Sequence, residues 1–312
     1  MDLRKLTVRR AQQALEHRFR KWITNPFLRA PARLWYGNDA GWRHNWIGKT
    51  DIKRLRRQLG SSAPVVQDER AVSLSRDGYV LLNPGYDERL LQTITDKVHG
   101  LMDDSDTSFP LAAGNVCTRL LGLLARVPEV HLLLCQDIQN LLLAFYGTWF
   151  RVWGVSCWRI KPVPNYDGRE EVYSNFWHCD YAPTSIMKLF VNLSDVTPET
   201  GAFRLHSIAS TKEIMRSGYW SRWWIGGPAR RMVEEPSRVI CVSGPVGSAV
   251  LCSTEACLHR ASIPRAGTYR DIIEFKLEPS AEPLAADWWL HVASDPTEQR
   301  ELARRRVVYD RD

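Results

Sequence analysis

The stretch WFRVWGVSCWRI, residues 149–160, marks the point where the pattern of the chain changes from helical to strand-like. Aromatic and β-branched residues dominate it, which predicts two short strands, Trp149–Trp153 and Ser156–Ile160. Further strand-like runs follow at 185–193, 201–205, 238–242, 248–252 and 269–277, with Pro- and Gly-containing turns between several of them. Many short strands without long helices between them predict two antiparallel sheets packed face to face, as in a jelly roll.

The residues before this stretch predict helices that flank the sheets. A strand is expected at Gly78–Leu82, a helix from Asp87 to about Leu101, and a leucine-rich helical block over 127–146. The fold class is therefore mainly β with flanking helices. Residues 60–64 contain Gly, Ser and Pro and are predicted to connect a basic N-terminal segment, 1–64, to a main domain over 65–285, with a C-terminal tail over 286–312.

The positive charge of the chain belongs to its N-terminal segment. Residues 1–60 contain 15 Lys and Arg against four Asp and Glu, whereas the net charge of all 312 residues is +7. Leu3 to Ile23 has the spacing of a basic amphipathic helix, which can lie on an anionic membrane surface, bind a partner or pack on the main domain. No nucleic-acid-binding motif accompanies the basic residues, so nucleic acid is not an expected partner.

Composition favours a globular protein with reduced cysteines. The hydrophobic content is 44%, and no 18-residue apolar run or secretory signal pattern occurs, so we expect a cytoplasmic protein, with peripheral membrane contact left open by the basic segment. The seven cysteines are an odd number without paired short spacings. This pattern is typical of free thiols and argues against a disulfide framework or a zinc site.

A candidate metal site begins at His178 and Asp180. Residues two apart on a strand point to the same side, so these two side chains are predicted to project together. A His-x-Asp pair alone is close to what chance supplies in a chain of this composition. His259 follows a predicted strand 79 residues after Asp180, and two histidines with one carboxylate are the ligand set of non-haem Fe(II) oxygenases.

Arg270 is the expected partner of this metal site. It follows His259 by 11 residues, at the start of the next predicted strand, where its side chain can reach the cavity beside the metal. A guanidinium binds a carboxylate through two parallel hydrogen bonds, which suits one end of a dicarboxylic cosubstrate.

Roughly residues 77–278 resemble the phytanoyl-CoA dioxygenase family of Fe(II)- and 2-oxoglutarate-dependent oxygenases. The motifs that carry the resemblance are Asp77-Gly78-Tyr79-Val80, Trp177-His178-Cys179-Asp180, Leu193-Ser194-Asp195-Val196-Thr197, Glu199-Thr200-Gly201-Ala202, Gly247-Ser248-Ala249-Val250 and Leu258-His259-Arg260-Ala261-Ser262. The resemblance implies a double-stranded β-helix, a cupin-like jelly roll. It also implies three cofactors or cosubstrates, namely Fe(II), 2-oxoglutarate and O2.

The resemblance also implies roles for single residues. His178, Asp180 and His259 would be the iron ligands and catalytic residues, and Arg270 would hold the distal carboxylate of 2-oxoglutarate. Further contacts with the cosubstrate are expected from Arg159, Lys161 and Ser262. Hydroxylation of an unactivated C–H bond is the implied reaction, and the carboxylate ligand Asp180 disfavours halogenation.

The substrate is predicted only as a class. Residues 219–231 are rich in Trp and Arg and lie between strands where this fold often places a lid, although the same segment can also be a small aromatic core. The residues expected to contact a small-molecule or amphiphilic substrate, such as a lipid- or sugar-linked one, are Trp177, Tyr181, Trp223 and Trp224. Two alternatives remain: a cupin-like metal oxygenase that does not use 2-oxoglutarate, and a non-catalytic binding module.

Overall fold

The computed structural model describes residues 42–104, 107–110, 116–169, 171–180, 185–222 and 224–293. The predicted helix Leu3 to Ile23 and the end of the C-terminal tail lie outside these ranges. The eight α-helices among the described residues are α1 (Trp42–Leu59), α2 (Arg70–Asp77), α3 (Glu88–Met102), α4 (Leu123–Arg126), α5 (Gln136–Tyr146), α6 (Ile208–Arg216), α7 (Gly227–Met232) and α8 (Trp288–Ala293). None of these helices is both long enough and apolar enough to cross a membrane.

The strands form a large sheet and two small ones. The strands are β1 (Tyr79–Leu82), β2 (Ser108–Pro110), β3 (Cys117–Leu120), β4 (Trp149–Ile160), β5 (Met187–Asn192), β6 (Phe203–Leu205), β7 (Tyr219–Ser221), β8 (Trp224–Ile225), β9 (Ile240–Val242), β10 (Ala249–Cys252), β11 (His259–Arg260) and β12 (Arg270–Ser280). The large sheet has the order β1-β10-β5-β12-β4-β3-β2, the second sheet has the order β11-β6-β9, and β7 pairs with β8. All recorded strand pairs are antiparallel, as predicted.

The outer face of the large sheet packs against the helices and forms the main core. Leu189, Ile273 and Phe275 of the sheet are fully buried there together with Ile94 of α3 and Leu141 of α5. The α3 helix begins where the sequence predicted, because the side chain of Asp87 accepts a hydrogen bond from the Leu90 amide and so caps its first turn. The predicted buttressing of one sheet face by helices is therefore confirmed.

The inner face of the large sheet faces the small sheet β11-β6-β9. Phe203, Leu205 and Val242 of the small sheet pack there against Val250 and Cys252 of β10. Since side chains alternate along a strand, Arg270, Ile272 and Glu274 of β12 share one face of the sheet, while Ile273 and Phe275 belong to the core on the other face.

Two predicted elements differ from the observed ones. Residues 149–160 form one strand rather than two. A β-bulge at Trp153 lets the strand continue, because Lys276 pairs with Gly154 and Leu277 pairs with Val152, which leaves Trp153 without a partner in the register. The helical block over 127–146 is broken into a 3₁₀ turn, Pro128–Leu133, and α5. Between them the Leu134 carbonyl accepts a hydrogen bond from the Gln139 side chain, and Cys135 is extended.

Candidate metal centre

The two histidines come together through a backbone bridge between their segments. The amide of His178 donates to the carbonyl of His259 at 3.0 Å, and the amide of His259 donates back to His178 at 2.9 Å. The Asp180 amide then donates to the carbonyl of Thr254 at 3.0 Å. Short extended segments rather than one long strand therefore place His178, Asp180 and His259 at one point on the inner side of the molecule.

The three side chains have the spacing of metal ligands. Nε2 of His178 lies 3.7 Å from Oδ1 of Asp180, and Nε2 of His259 lies 3.9 Å from Oδ2. One ligand atom from each residue lies within 4.8 Å of the other two. A metal ion about 2.1 Å from each atom needs ligands that are roughly 3–4 Å apart, so a single ion fits this set after small side-chain movements.

Backbone carbonyls orient both imidazoles. Nδ1 of His178 is 2.7 Å from the Phe176 carbonyl, and Nδ1 of His259 is 3.0 Å from the Cys257 carbonyl. A carbonyl can only accept, so each Nδ1 carries the proton and each Nε2 presents its lone pair. Both Nε2 atoms are therefore in the form that binds a metal.

The charges of the three residues also suit a metal ion. Burial lowers the pKa of His178 to about 3, with the neighbouring charges of His259 and Arg222 adding to the effect, and burial likewise lowers the pKa of His259. Burial acts to raise the pKa of Asp180, but the nearby Lys188 and His259 hold it below its usual range. At neutral pH the site consists of two neutral imidazoles and one ionised carboxylate, which are the protonation states that metal binding requires.

Arg270 is a buried cation without a counterion in this part of the molecule. Its side chain is 3% exposed, and its Nε and Nη1 find no hydrogen-bond partner among the described residues. Burial lowers its pKa to about 10, and no carboxylate is among the nearby groups that oppose this shift, which are Tyr173, Cys117 and Cys241. An unpaired buried guanidinium is costly unless a ligand supplies the missing acceptors, so these free donors fit the carboxylate of a bound dicarboxylic acid.

Ser262 is a second buried donor near the end of β11. Its Oγ has no partner within the described ranges, whereas the preceding residue, Ala261, donates its amide to the Ser174 carbonyl. Ser262 thus keeps a free hydroxyl, as a cosubstrate contact requires, and its predicted role remains a proposal.

The cosubstrate contacts predicted for Arg159 and Lys161 stay predictions, and the structure gives Arg159 a buried ion pair. In the β4–β12 register, Arg159 lies opposite Asp271 and Ile160 lies opposite Arg270, so Arg159 and Arg270 point to opposite faces of the sheet. Arg159 donates to both carboxylate oxygens of Asp271, at 2.8 and 2.7 Å. Lys161 follows on the same side, where both residues line a surface cavity of about 380 Å³ together with His99, Asp103 and Tyr269.

Trp177 is a buried residue, and its predicted contact with substrate stays a prediction. The ring is 3% exposed, and its Nε1 donates to Glu234 at 2.9 Å. The Arg260 guanidinium lies 4.7 Å from the ring centroid on a neighbouring strand. Strand alternation turns Trp177 away from the side on which His178 lies, so it is a core residue of a small cluster with Ile214, Met215 and Leu258.

The remaining predicted substrate contacts are untested. Tyr181 and Trp223 lie outside the described residues, and Trp224 belongs to β8 while its side chain lies outside the described part. Arg222 belongs to the Trp- and Arg-rich segment, and its charge acts on His178. Its side chain donates to Glu171 at 2.6 Å. No disulfide joins any of the seven cysteines, all of which lie among the described residues.

Lys188, Glu274 and Glu255 were missed by the sequence reasoning. Lys188 Nζ lies 2.7 Å from Asp180 and 3.0 Å from Glu274. Glu255 is 2% exposed, and neither of its carboxylate oxygens has a partner in the described structure. Burial, assisted by the charge of Asp180, raises the pKa of Glu255 to about 8. For Lys188 the available signal was a lone charged residue inside the apolar strand Met187–Asn192, since such residues are rarely buried unless paired.

No protein-family model matches the chain, and no curated protein sequence matches it. Among solved structures it is similar to EctD from S. alaskensis, crystallised with 2-oxoglutarate and 5-hydroxyectoine, at 13% identity over 69% of this chain and 76% of that one, with a TM-score of 0.50. The non-haem alpha-ketoglutarate-dependent epimerase SnoN from nogalamycin biosynthesis is 14% identical over 74% of this chain and 84% of that one, with a TM-score of 0.49. At these identities the likeness to EctD shows a shared fold.

Proposed function

We propose that this protein is an Fe(II)- and 2-oxoglutarate-dependent oxygenase. The observation that carries the proposal is the pairing of a buried His178, Asp180 and His259 cluster with a buried guanidinium, Arg270, whose Nε and Nη1 have no acceptor among the described residues. The domain that performs the reaction is the segment over 65–285, as proposed from sequence.

The three ligands would hold Fe(II) through two imidazole nitrogens and one carboxylate. Two histidines and one carboxylate leave the other positions of the metal open for cosubstrate and O2. Bound iron with 2-oxoglutarate supplies the oxidising power that breaks a C–H bond of the substrate. The protein contributes neutral imidazoles with fixed Nε2 lone pairs and a carboxylate that stays ionised at neutral pH.

Arg270 would bind the distal carboxylate of 2-oxoglutarate. No Asp or Glu side chain is among the groups that affect the pKa of Arg270, which are Tyr173, Cys117 and Cys241. A charged hydrogen bond to a buried guanidinium is stronger than one in water. Ser262, with its free Oγ, would donate a second hydrogen bond to the same cosubstrate.

The finer assignments follow the resemblance to the phytanoyl-CoA dioxygenase family. The two facing sheets would form its double-stranded β-helix, and hydroxylation of a small-molecule or lipid- or sugar-linked substrate would be the reaction. EctD, whose fold this chain shares, was crystallised with 2-oxoglutarate and the small molecule 5-hydroxyectoine, which supports a small-molecule substrate. Arg270 favours this function over a cupin-like oxygenase without 2-oxoglutarate, which has no need of the cation, and over a binding module without metal.

The test is succinate formation from 2-oxoglutarate by the purified protein with Fe(II). We expect slow O2-dependent succinate formation in wild type without added substrate, and its loss in His259→Ala. The matched control is His291→Ala, since His291 is an exposed histidine of α8, with 75% of its side chain accessible. Wild-type protein that forms no succinate and binds no 2-oxoglutarate contradicts the proposal.

A further inference from the structure

We propose that Lys188, held by Glu274, is a positioning residue that fixes the carboxylate of Asp180 so that one of its oxygens is presented to the metal. This inference rests on the proposed metal site. It adds two residues to the machinery of that site, neither of which belongs to the motifs of the resemblance.

Lys188 lies inside the molecule, on the inner face of the large sheet. It stands on β5 between Cys252 of β10 and Lys276 of β12, which are its partners in register. Its neighbours along the strand, Met187 and Leu189, are fully buried in the core on the other face. Only 17% of the Lys188 side chain is exposed, so its ammonium group depends on protein acceptors rather than on water.

Two carboxylates supply those acceptors. Nζ of Lys188 lies 2.7 Å from Oδ2 of Asp180 and 3.0 Å from Oε1 of Glu274. Glu274 is 4% exposed and lies on β12. The ammonium group therefore connects the carboxylate of the metal site to a rigid central strand, and it limits the rotation of the Asp180 side chain.

The contact also affects how Asp180 can bind a metal. When Oδ2 is engaged by an ammonium, Oδ1 is the oxygen that Lys188 leaves available to a metal, and it lies 3.7 Å from Nε2 of His178. Binding through one oxygen occupies one metal position, whereas binding through both would occupy two. Lys188 thus keeps a further position of the metal open for cosubstrate or O2.

Glu274 offsets the electrostatic cost of this arrangement. A cation 2.7 Å from a ligand repels a metal ion, and the negative charge of Glu274 on the other side of Lys188 reduces that repulsion. Glu274 and Arg270 are four residues apart on one face of β12, so a single strand holds both the proposed cosubstrate clamp and, through Lys188, the carboxylate ligand.

The test compares Lys188→Met with Lys276→Met. Lys276 is directly opposite Lys188 in register, lies 3.8 Å from the other oxygen of Glu274, and has its ammonium 5.1 Å from the Trp153 ring centroid. It is therefore a matched lysine that approaches the same glutamate. The measurements are the Co(II) affinity by anaerobic titration against a chelator, the visible Co(II) spectrum, and the thermal unfolding midpoint of the metal-free protein.

We expect Lys188→Met to bind Co(II) 10- to 100-fold more weakly, as is typical when a group that orients a ligand is removed, and to change the Co(II) spectrum because the carboxylate binds differently. Lys276→Met should stay within about 3-fold of wild type, since removal of an outer ion pair has a small effect. A folded Lys188→Met with wild-type affinity and spectrum, and only a lower unfolding midpoint, would overturn the inference.

A second variant covers the case in which Lys188→Met does not fold. Lys188→Met with Glu274→Gln removes one positive and one negative charge, so it deletes the contact to Asp180 without leaving Glu274 as an unpaired buried anion. The same loss of Co(II) affinity is expected, and wild-type affinity in the double variant would overturn the inference.

The outcomes separate this inference from the proposed function. Metal binding that depends on Lys188, in a protein that does not bind 2-oxoglutarate, contradicts the oxygenase and supports the positioning role. Binding of metal and 2-oxoglutarate that is independent of Lys188 contradicts the positioning role alone. Wild-type protein without affinity for metal contradicts both.

Discussion

Arg159 and Arg270 lie on paired strands, one register position apart, yet they face opposite sides of the sheet. Arg159 faces outward, donates to Asp271 and Asp103, and lies 4.8 Å from the ring centroid of Tyr269. Arg270 faces the space between the sheets, and two of its nitrogens have no acceptor in the described part of the chain. Both side chains are nearly inaccessible to solvent.

The difference separates a buried cation that protein carboxylates neutralise from one that has no such partner in the described part of the chain. A paired guanidinium is part of the folded framework, and removing it leaves a buried carboxylate without its main partner. A buried guanidinium without acceptors lowers the stability of the fold. Such a group is expected at a binding site, where a ligand supplies the missing hydrogen-bond acceptors. The contrast between the two arginines is therefore the main physical support for the proposal that Arg270 binds a carboxylate ligand.

The largest expected effect is that of Arg159→Met on stability. This change leaves Asp271, which is fully buried, without its bidentate partner. We expect the free energy of unfolding to fall by about 3–5 kcal/mol, the range for breaking a buried ion pair. Urea denaturation measures this change. A loss below about 1 kcal/mol would contradict the claim that Arg159 stabilises the fold through Asp271.

Glu255→Gln extends the comparison to a buried acid without partners. The raised pKa of about 8 means that the folded protein keeps this proton between pH 4.5 and 8, whereas the unfolded chain releases it. Wild type should therefore lose stability relative to Glu255→Gln as pH rises through this window, by about 1.4 kcal/mol per pH unit. Urea denaturation of both proteins at pH 5, 6, 7 and 8 tests this, and a constant difference contradicts it.

Arg270→Met should act in the opposite direction to Arg159→Met. It removes a buried cation that has no counterion among the described residues, so the free energy of unfolding of the metal-free protein should stay unchanged or rise by about 1 kcal/mol. Urea denaturation without 2-oxoglutarate is the measurement. A fall of more than about 2 kcal/mol would mean that Arg270 has a structural partner, as Arg159 has.

A similarly small effect is expected for Trp177→Phe. It removes the hydrogen bond from Nε1 to Glu234 but keeps a buried aromatic ring. A loss of about 1 kcal/mol in the free energy of unfolding is expected, with unchanged metal affinity. Impaired metal or substrate binding at wild-type stability would support the substrate contact predicted for Trp177.

The metal centre was predictable because its signals are local or ordered along the chain. His178 and Asp180 are two residues apart. His259 follows the predicted strand 248–252, and Arg270 lies at the start of the next predicted strand, 269–277. Most strand positions agree with the structure to within two or three residues at each end, because alternation and turn residues mark them in the sequence.

The environment of the centre was not predictable, because it depends on register. The face on which Arg159 lies follows from its pairing with Asp271, and a shift of one residue reverses it. The contact of Lys188 with Glu274 likewise requires the relative position of β5 and β12. For Trp177 a usable signal existed, since the alternation that put His178 and Asp180 on one side also put Trp177 on the other.

The most direct test of the account is the affinity for 2-oxoglutarate of the iron-loaded protein without O2, followed by the visible absorption band of the chelate. Wild type should bind and develop the band, and Arg270→Met should bind at least about 30-fold more weakly, as expected when one partner of a buried charged pair is removed. Asp103→Asn, which alters only the exposed partner of Arg159, should bind as wild type does. Equal binding by wild type and Arg270→Met, or no band in wild type, would contradict the account.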